Sequence, residues 1–375
     1  MNVRQLRELF PITRRYNFLN AAAVAPLSSP ASQAMCRYIE HTCGQATIGA
    51  DFYMNAEQTR SLAAALIGAD PDEVTFTKNT TEGIGWVAGG LPWRAGDNVV
   101  ITAVEFPANV YPWMGLGRQG VDLRMVKEVD GRVPAEDVIA AIDERTRVVS
   151  VSAVQYASGF RMDLPRLGQV CRERDVLLCV DAIQALGVLP IDVRAMQIDF
   201  LSADGHKWLC GPEGCGIFYC RRELLDRLTP VFAGWLCMED ALDFGNYRFE
   251  FLRSARKFDT GSYNLAGICG LGASIEMWLE AGIDVVAQWA LALTDRLVEG
   301  VRGKGYRVVS SRLPGEASSI VAFVSDHHDH GEIRKRLQEQ HRVIISCREG
   351  RLRASPHAYN TLEEIDQLIE LLPGH

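Results

Sequence analysis

No apolar run in this 375-residue sequence approaches the ~18–20 residues that span a bilayer, so no membrane partner is expected. Positive charge is scarce as well. Lys and Arg number 39 against 47 Asp and Glu, a formal net charge of −8. Without a basic footprint, no nucleic-acid partner is expected. Internal repeats, low-complexity tracts and long linkers are absent, which excludes disorder, a collagen-like repeat and a coiled coil. No G-x-G-x-x-G opens a helix after the first strand, which argues against a nicotinamide dehydrogenase. The opening stretch carries charges every few residues and no continuous apolar core, so no secretory signal is expected and the cytoplasm is the expected compartment.

The composition is otherwise that of a globular protein, 47% apolar and 23% charged. Single cores stop growing near ~250–300 residues, so two domains are expected. Most of the ten cysteines sit in apolar stretches such as Leu177–Val180 and Ile217–Cys220, which reads as reduced, buried thiols and not as a disulfide framework. Cys210, Cys215 and Cys220 suit no common zinc spacing, and the run Asp326–His330 reads as a solvated loop, so no metal is expected.

From about residue 70 to 220, β-branched runs alternate with helical stretches. Val74–Thr77, Asn98–Thr102, Leu123–Lys127, Val148–Val154, Val176–Val180, Phe200–Ala203 and Gly216–Cys220 read as strands, with helices such as Ala135–Ile142 and Leu164–Arg174 between them. This pattern predicts an α/β fold with a mostly parallel seven-stranded sheet. The last hundred or so residues read differently. Two long helices, Leu265–Ala281 and Val285–Gly303, precede strands at Tyr306–Ser310, Ser319–Val324 and Val343–Cys347. A final helix opens at Thr361 with Glu364 in capping-box position. A large α/β domain over 15–260 and a smaller α+β domain from 1–14 and 261–375 are therefore expected.

Three strand ends carry chemistry. The strand ending at Ala203 runs into Asp204-Gly205-His206-Lys207-Trp208. A lysine outside the carboxyl end of such a strand, partly desolvated, can form a Schiff base with a carbonyl cofactor. The alternative is a solvated surface lysine. Asp181 follows the apolar run Val176–Val180, where a carboxylate needs a cationic partner such as a protonated pyridine nitrogen. The alternative is a helix cap. Thr80 and Thr81 open a helix after Val74–Thr77, where N–H groups and the dipole favour a phosphate, although threonine also serves as a plain cap.

Phosphate site, pyridine acid and lysine thus come in order along one chain. With Phe18-Leu19-Asn20-Ala21-Ala22 near the start and Arg353-Ala354-Ser355-Pro356-His357 near the end, the sequence resembles the class V aminotransferase family of fold-type I pyridoxal 5′-phosphate (PLP) enzymes. That family includes cysteine desulfurases, isopenicillin N epimerase and kynureninase. The resemblance implies PLP as cofactor, with Lys207 as the Schiff-base lysine and Asp181 as the partner of the pyridine nitrogen. It implies that Gln184 bonds the phenolic oxygen and that Thr80, Thr81 and His206 hold the phosphate. Phe106 falls where the desulfurases stack a histidine on the ring; a phenyl ring stacks but cannot shuttle a proton. Tyr156 falls where an Asn often contacts the phenolic oxygen. Asp204 falls where many relatives have a phosphate-binding serine, and its charge predicts that it points elsewhere.

Gly261-Ser262-Tyr263-Asn264 resembles the segment that reaches a neighbouring subunit's phosphate, which implies a homodimer; a local turn is the alternative. Arg353 falls where the family clamps the substrate carboxylate. Strand alternation puts Arg351 on the same face as a rival, while Arg342 and Arg348 read as mostly solvated. Cys347, six residues before Arg353, leaves little room for a mobile thiol-bearing loop and reads as a structural thiol. The expected function is a PLP-dependent enzyme acting on an amino acid or related amine, with aminotransferase-type chemistry first. Carbon–sulfur lyase or desulfurase-like elimination, or epimerisation, from the same carbanion is the alternative. A catalytically inactive binding module on the same fold is the alternative from another class.

Overall fold

The computed structural model describes residues 1 and 3–374. In chain order its strands are β1 (Asn17–Phe18), β2 (Val74–Thr77), β3 (Asn98–Thr102), β4 (Asp122–Val126), β5 (Thr146–Ser152), β6 (Leu177–Asp181), β7 (Phe200–Asp204), β8 (Gly216–Cys220), β9 (Arg307–Val308), β10 (Val321–Val324), β11 (Val343–Ile344), β12 (Ser346–Arg348) and β13 (Arg351–Ala354). The central sheet has seven strands in the order β2-β8-β7-β6-β5-β3-β4. Only β8 runs against its neighbours; the pairs from β7 out to β4 are parallel. This is the mostly parallel α/β sheet that the sequence predicts.

The inner strands are apolar throughout because both faces are covered. Val100, Val149, Leu178, Val180, Leu201 and Ile217 point into one core. Val99, Ile101, Val148, Leu177, Phe200 and Phe218 point into the other. The helix Thr80–Gly90 lies so close to the sheet that a Cβ on Gly83 would fall 2.4 Å from Ser202 Oγ. Only glycine fits there. Six of the cysteines are buried, as expected, but Cys36 and Cys43 are exposed.

The packing moves some chain segments between the two expected units. The helix Leu265–Ala281, counted with the small domain, puts Ile268, Leu271, Ile275 and Trp278 into the core of the large sheet. Its glycines let it settle onto neighbouring helices: a Cβ on Gly272 would meet Thr59 Oγ1 at 2.2 Å, and one on Gly270 would meet Met35 at 2.7 Å. Leu6 and Phe10 join that same core, although residues 1–14 were placed in the small unit. Conversely, β1, counted with the large unit, pairs with β11. The small core gathers Leu293, Leu297 and Val301 of the helix Ile283–Gly303 around the sheet β12-β13-β10-β9. The last helix, Leu362–Leu371, carries the expected capping box of Thr361 and Glu364. The run from Asp326 is the expected loop, lying between β10 and the helix His330–His341 that Asp329 caps, and no metal-ligand cluster occurs among the described residues.

Candidate active site

Because β2, β3, β5, β6 and β7 run in one direction, their carboxyl ends share one edge of the sheet, where ligands of such folds bind. A cleft of about 700 Å³ opens there. Its walls include Thr80 and Thr81 after β2, Phe106 after β3, Tyr156 after β5, Asp181 and Gln184 at β6, His206 and Lys207 after β7, and Arg353 on β13. The chain therefore brings all but one of the sequence-predicted site residues into a single space. Ser262 is the exception. It is exposed and lines a second cleft with Lys78 and Glu82. Nearby, Tyr263 donates to Asp259 (2.9 Å), which is paired with the buried Arg60 guanidinium at 3.0 Å.

Lys207 is 8% exposed, and its amine lies 5.4 Å from the centre of the Phe106 ring. Burial pulls its pKa down to about 8, against the opposing field of Asp181. A lysine so tuned releases its proton far more readily than a solvated one, and the neutral amine is the form that attacks a carbonyl or takes a proton. Asp181 is 1% exposed and accepts one bond, from the N–H of Ile183 (3.0 Å). Burial pushes its carboxyl up to about 7. A buried acid without a direct cationic partner is suited to receive an N–H⁺ from a ligand.

At the helix Thr80–Gly90, Asn79 caps by accepting from Glu82 N at 3.0 Å. The N–H groups of Thr80 and Thr81 keep no intrahelical partner, as at any helix start. Thr80 Oγ1 accepts from Asp204 N (3.1 Å), which ties this helix start to the end of β7. Asp204 does not point elsewhere, as its charge predicted. It lines the cleft, because Gly205 N donates to it at 2.7 Å and His206 Nδ1 lies 3.0 Å from its other oxygen.

Gln184 is fixed from both ends. Its amide donates to Ala22 O (3.0 Å), and its oxygen accepts from Trp208 Nε1 (2.8 Å). Trp208 O in turn lies 2.8 Å from Nε2 of His357, which stacks on Trp278 at 4.5 Å. Burial holds His357 down to about 4, so it stays neutral and donates to that carbonyl. The backbone beside Lys207 is thereby anchored.

Arg353 is 1% exposed. Its Nε donates to Ser346 Oγ (3.0 Å) and its Nη1 to Tyr156 O (2.5 Å), while Nη2 is buried without a partner. An orphaned guanidinium nitrogen at a cleft is a vacant half of a carboxylate fork. The rival, Arg351, does not line this cleft and pairs with Glu128 at 3.2 Å. Arg348, read from sequence as solvated, does line it.

Two features were missed outright. Glu105 is buried and accepts from Thr102 Oγ1 (2.8 Å), Asn109 Nδ2 (3.0 Å), Gln155 Nε2 (2.8 Å) and Ser152 N (3.0 Å). It locks the loops that present Phe106 and Tyr156. A lone carboxylate directly after an apolar strand was the available signal. The second is the turn between β12 and β13, where Arg348 and Arg351 pair directly. Only Glu349 and Gly350 lie between, both with positive φ (49° and 72°), the pattern of a two-residue hairpin. Cys347 sits opposite Leu352 in this hairpin, and alternation turns it away from the face of Ser346 and Arg348. Burial raises its thiol, and it does not line the cleft, which contains no cysteine. Tyr156 closes the rim by donating its hydroxyl to Glu349.

The family model described as aminotransferase class-V matches residues 17–368. A probable cysteine desulfurase of Methanothermobacter thermautotrophicus is 33% identical, with 99% of this chain and 98% of that protein covered. The uncharacterized aminotransferase YcbU of Bacillus subtilis is 28% identical over 98% of this chain and 96% of that protein. Among solved structures, the apo cysteine desulfurase of Thermococcus onnurineus NA1 superposes with a TM-score of 0.90 at 26% identity, covering 98% of this chain and 96% of that one. The cystine C–S lyase C-DES, solved with its product cysteine persulfide, also reaches 0.90, covering 98% of this chain and 100% of that one, but at 23% identity it speaks for the fold alone.

Proposed function

The chain belongs to the class-V aminotransferase family, and from that premise we propose that it is a PLP enzyme that breaks a carbon–sulfur bond of an amino acid by elimination. The observation that carries this reading is a cleft holding Lys207, Asp181 and Arg353 together with no cysteine on its walls. The expectation of aminotransferase-type chemistry stands at the level of family; relatives named cysteine desulfurases favour chemistry at sulfur. The short β12–β13 hairpin and the outward Cys347 argue against a persulfide route through a thiol of this chain.

The residues fit the cofactor. Lys207 Nζ would hold its aldehyde carbon, Asp181 its ring nitrogen, and Thr80, Thr81 and His206 its phosphate. Gln184 would reach the phenolic oxygen, with Phe106 on the ring face and Tyr156 beside it. When bound, PLP supplies an electrophilic carbon for amines and a ring that draws charge from the substrate's α-carbon. The chain does the rest. Arg353 Nη2 takes the α-carboxylate and turns the substrate in the cleft. Lys207 Nζ removes the α-proton, its basicity lowered by burial and its position held at the cleft wall by its surroundings. The bond from Cβ to sulfur then breaks with its electron pair leaving on sulfur. Tyr156, bound to Glu349, shields the rim from water.

The test is the carbon product. PLP-loaded protein given a cysteine derivative should release pyruvate and ammonia in equal amounts. Alanine as the main product would contradict elimination and restore a desulfurase reading. We extend the proposal to a homodimer in which exposed Ser262 serves the neighbouring cleft; a purified chain that sediments only as a monomer removes that part.

Asp181 supplies a second test. In protein prepared without PLP, burial holds its pKa near 7 against an ordinary 3.8. Between those values the folded chain keeps a proton that the unfolded chain has released, so the stability owed to this residue falls as pH rises through the window and stays low above it. Asp181→Asn removes this dependence. Its melting temperature relative to wild type should climb from about pH 5 to about pH 8. A difference that ignores pH would contradict the buried-acid assignment.

A further inference from the structure

Two guanidinium groups meet the cleft from the β12–β13 hairpin, and the α-carboxylate accounts for one. Arg348 lines the cleft and makes no ion pair or hydrogen bond among the described residues. Its neighbours show that this is not for want of acids nearby. Arg351 is paired with Glu128, and Glu349 is taken by the Tyr156 hydroxyl. Of the acids of the cleft itself, Asp204 lies beside His206, and Asp181, at the carboxyl end of β6, accepts from Ile183 N. Arg348 also bears on Arg353, which burial and then this like charge push down from the usual arginine range. The buried Arg353 keeps a donor without a partner, and Arg348 adds a second positive charge at the same cleft, so an anionic ligand is favoured there.

The two cations differ in depth. Arg353 is 1% exposed at the cleft wall, whereas Arg348 is exposed at its rim. A ligand that satisfies both must reach from one to the other. We infer that the substrate is an amino acid whose side chain ends in a second carboxylate, bound by Arg348 while Arg353 holds the α-carboxylate. This rests on the PLP reading above and adds the substrate class to it.

The experiment compares S-carboxymethyl-cysteine with its amide, S-carbamoylmethyl-cysteine, on the PLP-loaded protein. The two are nearly isosteric and differ in the terminal charge. Titration followed by the cofactor's absorbance gives Kd, and turnover gives kcat/KM. The acid should be preferred by about tenfold or more, the scale of one charge-assisted hydrogen bond. Arg348→Gln should bring the ratio near one. Arg351→Gln should leave the ratio as in wild type. Glutarate and glutaramate, read by calorimetry on the same protein, should show the same discrimination without covalent chemistry.

A wild-type ratio near one overturns the inference, and so does a ratio that survives Arg348→Gln. An equal loss for acid and amide in that variant also overturns it, because Arg348 would then share the α-carboxylate with Arg353. Absorbance that responds to both compounds without discriminating sinks only this inference. A protein that takes up no PLP at Lys207 sinks the underlying reading instead.

Discussion

Lys207→Ala is expected to cost on the order of 10³-fold or more in turnover, since the proposed mechanism uses one amine as both covalent anchor and general base. The site has no substitute. Among the neighbouring groups, Phe106 carries no proton, Tyr156 has its phenol pushed up to about 12 by burial and by its bond to Glu349, Asp181 is assigned to the ring nitrogen and His206 to the phosphate. The variant should still fold, because Lys207 makes no ion pair among the described residues and the turn is held by Gly205, Trp208 and His357. Near-normal pyruvate release by a folded Lys207→Ala protein would remove the lysine from its role. Exogenous primary amine should restore part of the rate, which separates lost chemistry from lost structure.

Arg353→Ala should raise KM for α-amino acids by about 10- to 100-fold, the worth of a charge-assisted fork in a desolvated site. Amines that lack the carboxylate should be affected far less. Arg353→Lys keeps the charge but loses the fork, and should recover only a fraction of the binding. The substitution also strips donors from Tyr156 O and Ser346 Oγ, so part of the effect is a loosened hairpin. The split between substrates with and without a carboxylate isolates the clamp. Equal losses for both classes would place the clamp elsewhere.

The strands of the central sheet were legible because helices cover both faces, which leaves uninterrupted runs such as Val148–Ser152 and Leu177–Val180. Val74–Thr77, Asn98–Thr102 and Gly216–Cys220 match residue for residue. The edge strand Asp122–Val126 came out one residue displaced, since its partly exposed pattern blurs the apolar signal. The convergence of Lys207, Asp181 and Thr80 on one cleft was legible because each stands at or just beyond the end of such a run and the parallel order carries all three to one edge. What the sequence hid depends on tertiary approach. The helix Leu265–Ala281 belongs with the large core through Gly270 and Gly272, whose close packing leaves no periodic mark. Arg348 and Arg351 look alike along the chain and sit opposite each other in the hairpin, and only the tertiary approach of Glu128 takes one of them out of the cleft. Asp204 lines the cleft against the expectation from its charge, because the bond from Gly205 N and the approach of His206 fix its carboxylate there.

The central claim is a covalent bond between PLP and the amine of residue 207. Borohydride reduction of the PLP-loaded protein, followed by proteolysis and mass analysis, reads it directly. The account predicts a single phosphopyridoxyl peptide containing Lys207, formed by wild type and missing from Lys207→Ala. Label on another lysine, or none at all, would contradict it.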